Sequence, residues 1–116
     1  MRLKIAVLSV LACLCFLART LHAQTAYGRI LGTITDASGA VVANANVTVT
    51  NTGTNVSVKA TSNAQGDYDV PNLIPGNYQV TVEVAGFKKF VASNLVLVVD
   101  QKLRVDATLE PGASLL

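Results

Sequence analysis

At 116 residues, with 51% hydrophobic and 14% charged content, the chain has the length for one domain with one core and is too apolar for intrinsic disorder. The formal charge of +2 depends on Arg2, Lys4 and Arg19. Without these three, nine basic residues become six against seven acidic ones, and a net −1 with no basic stripe disfavours nucleic acid as a partner.

Arg2 and Lys4 precede the apolar run IAVLSVLACLCFLA, Ile5 to Ala18, which gives way to Arg19-Thr20-Leu21-His22-Ala23. A basic start, a short apolar middle and a small residue at the cut describe a signal peptide, residues 1–23, with cleavage between Ala23 and Gln24. Leu21, three positions before the cut, is larger than the usual residue there. The run is shorter than the roughly 20 apolar residues of a spanning helix, so no membrane span is expected in the mature chain. Val10-Leu11-Ala12-Cys13 loosely matches a lipoprotein cleavage box, but the apolar run continues past Cys13, which leaves lipidation as the lesser alternative. Cleavage removes Cys13, Cys15, His22 and Met1, so the mature domain relies on packing rather than disulfides.

After a short lead, residues 24–27, the sequence reads with period two as seven short strands separated by turns. Gly28 to Thr35 sets Ile30, Gly32 and Ile34 on one face, and Asp36-Ala37-Ser38-Gly39 closes it as a turn. Ala45, Val47 and Val49 alternate with Asn46, Thr48 and Thr50, and after Asn51-Thr52-Gly53-Thr54 the set Val56, Val58 and Ala60 makes the second arm of a hairpin. Ser62 to Gly66 reads as polar loop, and Asp67-Tyr68-Asp69-Val70 as a short strand with Tyr68 and Val70 inward. Pro71 to Gly76 is expected to be a connection, with Leu73 and Ile74 tucked under the end of the domain.

Tyr78, Val80, Val82 and Val84 then face a core while Asn77, Gln79, Thr81 and Glu83 face water. Leu95 to Val99 is five apolar residues in a row. Its flanks favour Leu95, Leu97 and Val99 as the core set, which leaves Val96 and Val98 on an outer face as a candidate contact for a neighbouring domain or a second copy. Leu103, Val105, Ala107 and Leu109 form the last inward set before Pro111-Gly112 and a tail, residues 111–116. Seven strands without helices indicate two antiparallel sheets packed face to face, an all-β sandwich over residues 28–110 behind a signal-peptide helix.

GTITDASGAVVANANVTV (Gly32 to Val49), TSNAQGDYDV (Thr61 to Val70) and LIPGNYQVTVEVAGF (Leu73 to Phe87) together resemble the carboxypeptidase regulatory-like domains, which have a transthyretin-like β-sandwich fold. In this likeness Asp36 and Gly39 make the first turn, Gly66 relaxes the bend before Tyr68, Pro75-Gly76 sets a reversal, and Gly86 lets Phe87 fold back on the core. Such domains commonly follow the signal peptide of bacterial TonB-dependent outer-membrane receptors, so the resemblance implies a periplasmic or outer-membrane-associated module that contacts a cell-envelope partner. Neither the plug nor the barrel of such a receptor follows residue 110, which implies a free-standing relative or a fragment.

Chemistry is sparse. With no histidine or cysteine after residue 23, neither a Ser-His nor a Cys-His pair can be built, and no enzyme activity or cofactor is expected. Asp67 and Asp69 are the one close carboxylate pair, without the further ligands of a calcium loop, so no metal is expected. Two glycosylation sequons, at Asn46 and Asn55, read as coincidence in an Asn/Thr-rich chain. Carbohydrate binding is the alternative function, because similar sandwiches include glycan-binding modules, and Tyr27 is the aromatic residue expected to be exposed for it.

Overall fold

The computed structural model describes residues 2–18 and 26–112, so the expected cut between Ala23 and Gln24 lies outside the described residues. Helix α1 (Arg2–Ala18) covers the apolar run, and Leu3, Ile5, Leu8 and Leu11 on it are exposed. No described helix is long and apolar enough to cross a membrane.

Eight strands come after it: β1 (Gly28–Asp36), β2 (Asn46–Asn51), β3 (Ser57–Thr61), β4 (Asp67–Leu73), β5 (Gly76–Glu83), β6 (Phe90–Leu97), β7 (Lys102–Arg104) and β8 (Ala107–Leu109). One sheet runs β3-β2-β5-β6; the other runs β4-β1-β7, with β8 continuing along β1. The inward residues are those the alternation marks: Ile30 and Ile34 from β1, Val47 and Val49 from β2, Tyr68 and Val70 from β4, Tyr78, Val80 and Val82 from β5, all buried. Each such aliphatic side chain contributes roughly 1.5–3 kcal/mol by leaving water, and an aliphatic set of this size is what a domain without disulfides needs.

The turns obey local chemistry. Asp36 Oδ1 accepts from the Ser38 and Ala40 backbone N–H groups at 2.9 and 3.1 Å and from the Ser38 hydroxyl at 2.6 Å. Asn51 Oδ1 holds the N–H groups of Gly53 and Thr54 in the β2–β3 turn. Gly66 sits at φ 77, and a Cβ there would meet the Ile34 carbonyl at 2.7 Å, so the expected bend before Tyr68 requires a residue without a side chain.

Several expectations are corrected. The final inward set is two strands rather than one, and β7 and β8 pair parallel to β1, so the sandwich has eight strands and is not wholly antiparallel. The split has a cause at Gly32: a Cβ on that residue would lie 1.9 Å from the Val105 carbonyl oxygen, so the Val105 main chain leans in against β1 there and interrupts the ladder, while the register is the same on both sides of the break. At the break the Asp106 carboxylate accepts from the Thr33 N–H at 2.8 Å, a side chain standing in for the missing ladder acceptor. Pro71 is not in a connection, because β4 continues to Leu73. The register passes from Ile30↔Val70 to Gly28↔Leu73, which sets Pro71 and Asn72 together opposite Arg29; this bulge, with Asn72 at φ 59, absorbs a residue that cannot donate to the ladder.

Leu73 is buried as expected, but Ile74 is exposed. Val56 and Val58 are exposed as well, because β3 is an edge strand and Val56 precedes its first residue. Val99 is not core: β6 ends at Leu97, and Val98 to Gln101 is a turn closed by the Gln101 N–H on the Val98 carbonyl at 3.2 Å, with Asp100 at φ 58.

Candidate functional site

Strand β6 is the edge of its sheet, paired only with β5 among the described strands. Its pairing slips between Tyr78↔Leu95 and Val80↔Ala92, which leaves Ser93 and Asn94 opposite Gln79 in a second bulge, with Asn94 at φ 58. A bulge shortens the straight, pairable run of an edge. Beyond it Val96, in register with Asn77, is 60% exposed. Val98 is 54% exposed but belongs to the turn after β6, where its N–H donates to Gln101 Oε1 at 3.0 Å. The structure thus places the two exposed valines on the strand end and on the turn after it rather than on a single strand face.

Tyr27 lies immediately before β1 and is 45% exposed, whereas Tyr68 and Tyr78 are buried and Phe87 and Phe90 half-buried. It borders an open depression of about 250 Å³ whose other walls include Arg29 of β1, Asn72 of the β4 bulge, and Asp100, Gln101 and Lys102 of the β6–β7 connection. Register assembles this set: Arg29 pairs with Lys102, and the Arg29 N–H donates to the Gln101 carbonyl at 2.9 Å. Sequence reasoning found Tyr27 but none of its neighbours, which are drawn from three separate stretches of chain.

The outer face of the β4-β1-β7 sheet is polar and internally paired. Arg29 Nε lies 3.2 Å from Asp69, and Arg104 Nε lies 3.1 Å from Asp106. The Thr33 hydroxyl donates to Asp67 at 2.6 Å and accepts from Arg104 Nη2 at 3.0 Å. Asp67 and Asp69 therefore serve different partners, and no group of three metal-ligating side chains occurs among the described residues.

The perturbed acids and bases have structural causes. The Thr33 N–H, with help from the Arg104 guanidinium, holds Asp106 below the usual carboxylate range, and the Ser38 hydroxyl together with backbone N–H groups does the same for Asp36. Burial, with Asp106 adding to it, pushes the Tyr68 phenol up to about 12; its hydroxyl donates to the Val105 carbonyl at 2.5 Å. Ser62 is a residue the sequence hides: it reads as loop, yet it is buried, accepting from the Ala45 N–H at 2.9 Å and donating to the Val42 carbonyl at 2.8 Å.

Comparison with known proteins agrees with this architecture. The chain is 35% identical over 85 residues to the TonB-dependent transporter Oar of Myxococcus xanthus, a match that spans 72% of this chain but only 8% of that protein. Among solved structures, the Bacillus anthracis TIE protein superposes with a TM-score of 0.64 at 19% identity, over 74% of this chain and 17% of that one. A candidate carbohydrate binding protein from Bacteroides uniformis superposes with a TM-score of 0.58 at 21% identity, over 72% of this chain and 41% of that one. At these identities the two structures speak to the fold alone. The family model of the carboxypeptidase regulatory-like domain matches residues 29–110, which include all eight strands but for Gly28, and the chain belongs to that family.

Proposed function

We propose that this protein is an exported, non-catalytic spacer and interaction module of the bacterial cell envelope. One observation carries the reading: β7 and β8 run parallel to β1, so the chain enters the sandwich at the Gly28 end and leaves beyond Leu109, beside Asp36 at the other end. Nine residues of β1 separate those ends by about 26 Å at the usual strand rise. A domain threaded end to end keeps the two segments of chain on either side of it apart. The exposed valines Val96 and Val98 supply a contact surface for an envelope partner. The likeness to part of a TonB-dependent transporter supports an envelope setting, and Arg2 and Lys4 at the start of a helix that is otherwise apolar support export. Residues 24–116 contain no histidine or cysteine, which supports a non-catalytic role.

Expression in a Gram-negative host tests the first step. Intact-mass analysis of the periplasmic fraction is expected to find a chain beginning at Gln24. Retention of a full-length chain in the cytoplasm would overturn the proposal.

A second reading, a carbohydrate-binding module, is favoured by the exposed Tyr27 ring beside a polar depression, and by the fold shared with the Bacteroides uniformis protein.

A further inference from the structure

We propose that the depression at the Gly28 end binds one neutral pyranose ring of a glycan, with Tyr27 stacking on the apolar face of the sugar and Asn72, Asp100 and Gln101 bonding its hydroxyls. This inference rests on the second reading above and gives that reading a site and a ligand class.

Size comes first. A volume of about 250 Å³ lies below the roughly 300–1,000 Å³ of pockets that enclose drug-sized ligands, so the depression suits a single ring presented from a longer chain. Its wall is mixed, with an aromatic ring beside several polar groups. A sugar has the matching character, since the axial C–H groups of a pyranose form an apolar face and its hydroxyls both donate and accept.

The polar groups have capacity to spare, and one of them is held in place. Gln101 uses its Oε1 on the Val98 N–H, which fixes the amide plane and leaves its NH₂ as a donor. Asp100 stands at the left-handed position of the turn and Asn72 at the left-handed position of the bulge, so each side chain leaves a defined backbone position beside the depression. Carboxylate, amide carbonyl and amide NH₂ together offer acceptors and donors to neighbouring hydroxyls. Gln101 is thus partly ordered before binding, which matters for a ligand that buries a small area.

Charge selects the class. Arg29 is engaged by Asp69, which lies outside the lining, and this leaves Lys102 and Asp100 as one cation and one carboxylate in the depression. A phosphate or uronate would meet Asp100 without a free cationic cluster to compensate. Neutral hydroxyls meet no such penalty.

The test is a titration of the protein with maltotriose, cellotriose, chitotriose and trigalacturonate, monitored by amide NMR. At least one neutral trisaccharide is expected to give saturable shifts at the Asn72 and Gln101 side-chain amides. Tyr27→Ala should weaken it about tenfold, while Tyr27→Phe, which keeps the ring, should stay within about threefold. Preserved backbone spectra in both variants exclude misfolding. Tighter binding of trigalacturonate would overturn the neutral class. Saturable sugar binding with shifts elsewhere and no response to Tyr27→Ala would overturn this site and leave the carbohydrate reading standing. No shifts with any of the four would remove both.

Discussion

Strands β5 and β6 lie side by side in one sheet and are built on opposite terms. β5 has a neighbour on each edge and a core below it, and Tyr78, Val80 and Val82 are buried while Asn77, Gln79 and Thr81 are not. β6 has one neighbour, a bulge at Ser93-Asn94, and valines at 91, 96, 98 and 99 turned to solvent along or just past it. In this pair the regular alternation falls on the strand with a neighbour on each edge, and the broken alternation on the strand where the sheet ends. The most legible strand has both edges paired, and the irregular one keeps an unpaired edge among the described strands.

Substitutions at matched positions would break that contrast if it were wrong. Val80→Asp buries a carboxylate in the middle of β5 with no partner, and at a cost of more than about 4 kcal/mol it should leave the domain unfolded by circular dichroism. A folded Val80→Asp variant would show that β5 is not the closed centre of the sheet. Gly32→Ala, on the closed side of the molecule, pushes a methyl group into the Val105 main chain and should cost about 3 kcal/mol in urea unfolding, the upper end of ordinary overpacking.

Tyr68→Phe is expected to cost roughly 1–2 kcal/mol, since the buried Val105 carbonyl loses its donor. Its pH dependence has a definite sign. The folded pKa of about 12 lies above the ordinary tyrosine value of 10.0, so the folded state favours the protonated phenol. That stability is fully present below about pH 10 and is lost as pH rises toward 12; Tyr68→Phe should abolish this part of the alkaline limb. Asp106 is shifted the other way, so its contribution is present at neutral pH and lost as pH falls through its depressed pKa.

Val96→Lys with Val98→Lys should change stability least, by no more than about 0.5 kcal/mol, because both side chains are already in water. The same pair should weaken association with an envelope partner or a second copy, measured by sedimentation and pull-down. Unaltered association would mean that the two valines are ordinary surface.

How much of this was legible in the sequence depended on whether the cause was local. The inward sets of β1, β2, β4 and β5 come from period two, and the Asp36 and Gly66 turns from residue chemistry, so all could be read. The exposure of Val56 and Val58 could not, because alternation gives a face but not whether another strand covers it. The parallel return of β7 and β8 brings Val105 close against Gly32, an approach that only the fold creates. Asn72 and Asn94 look like ordinary polar residues until the register makes them bulges. At the candidate sugar site Tyr27 was readable as an exposed aromatic, while Asn72, Asp100 and Gln101 are brought to it by pairing between distant strands.

The spacer reading rests on where the chain enters and leaves the sandwich, and a distance tests it. Residues 24–116 contain no native cysteine, so spin labels can be placed on the processed protein at Ala26→Cys and Gly112→Cys and their separation measured by pulsed electron resonance. Labels about 25 Å apart or more are expected from the length of β1. A separation below about 15 Å, less than about five residues of strand, would set both ends of the chain on the same side and contradict the account.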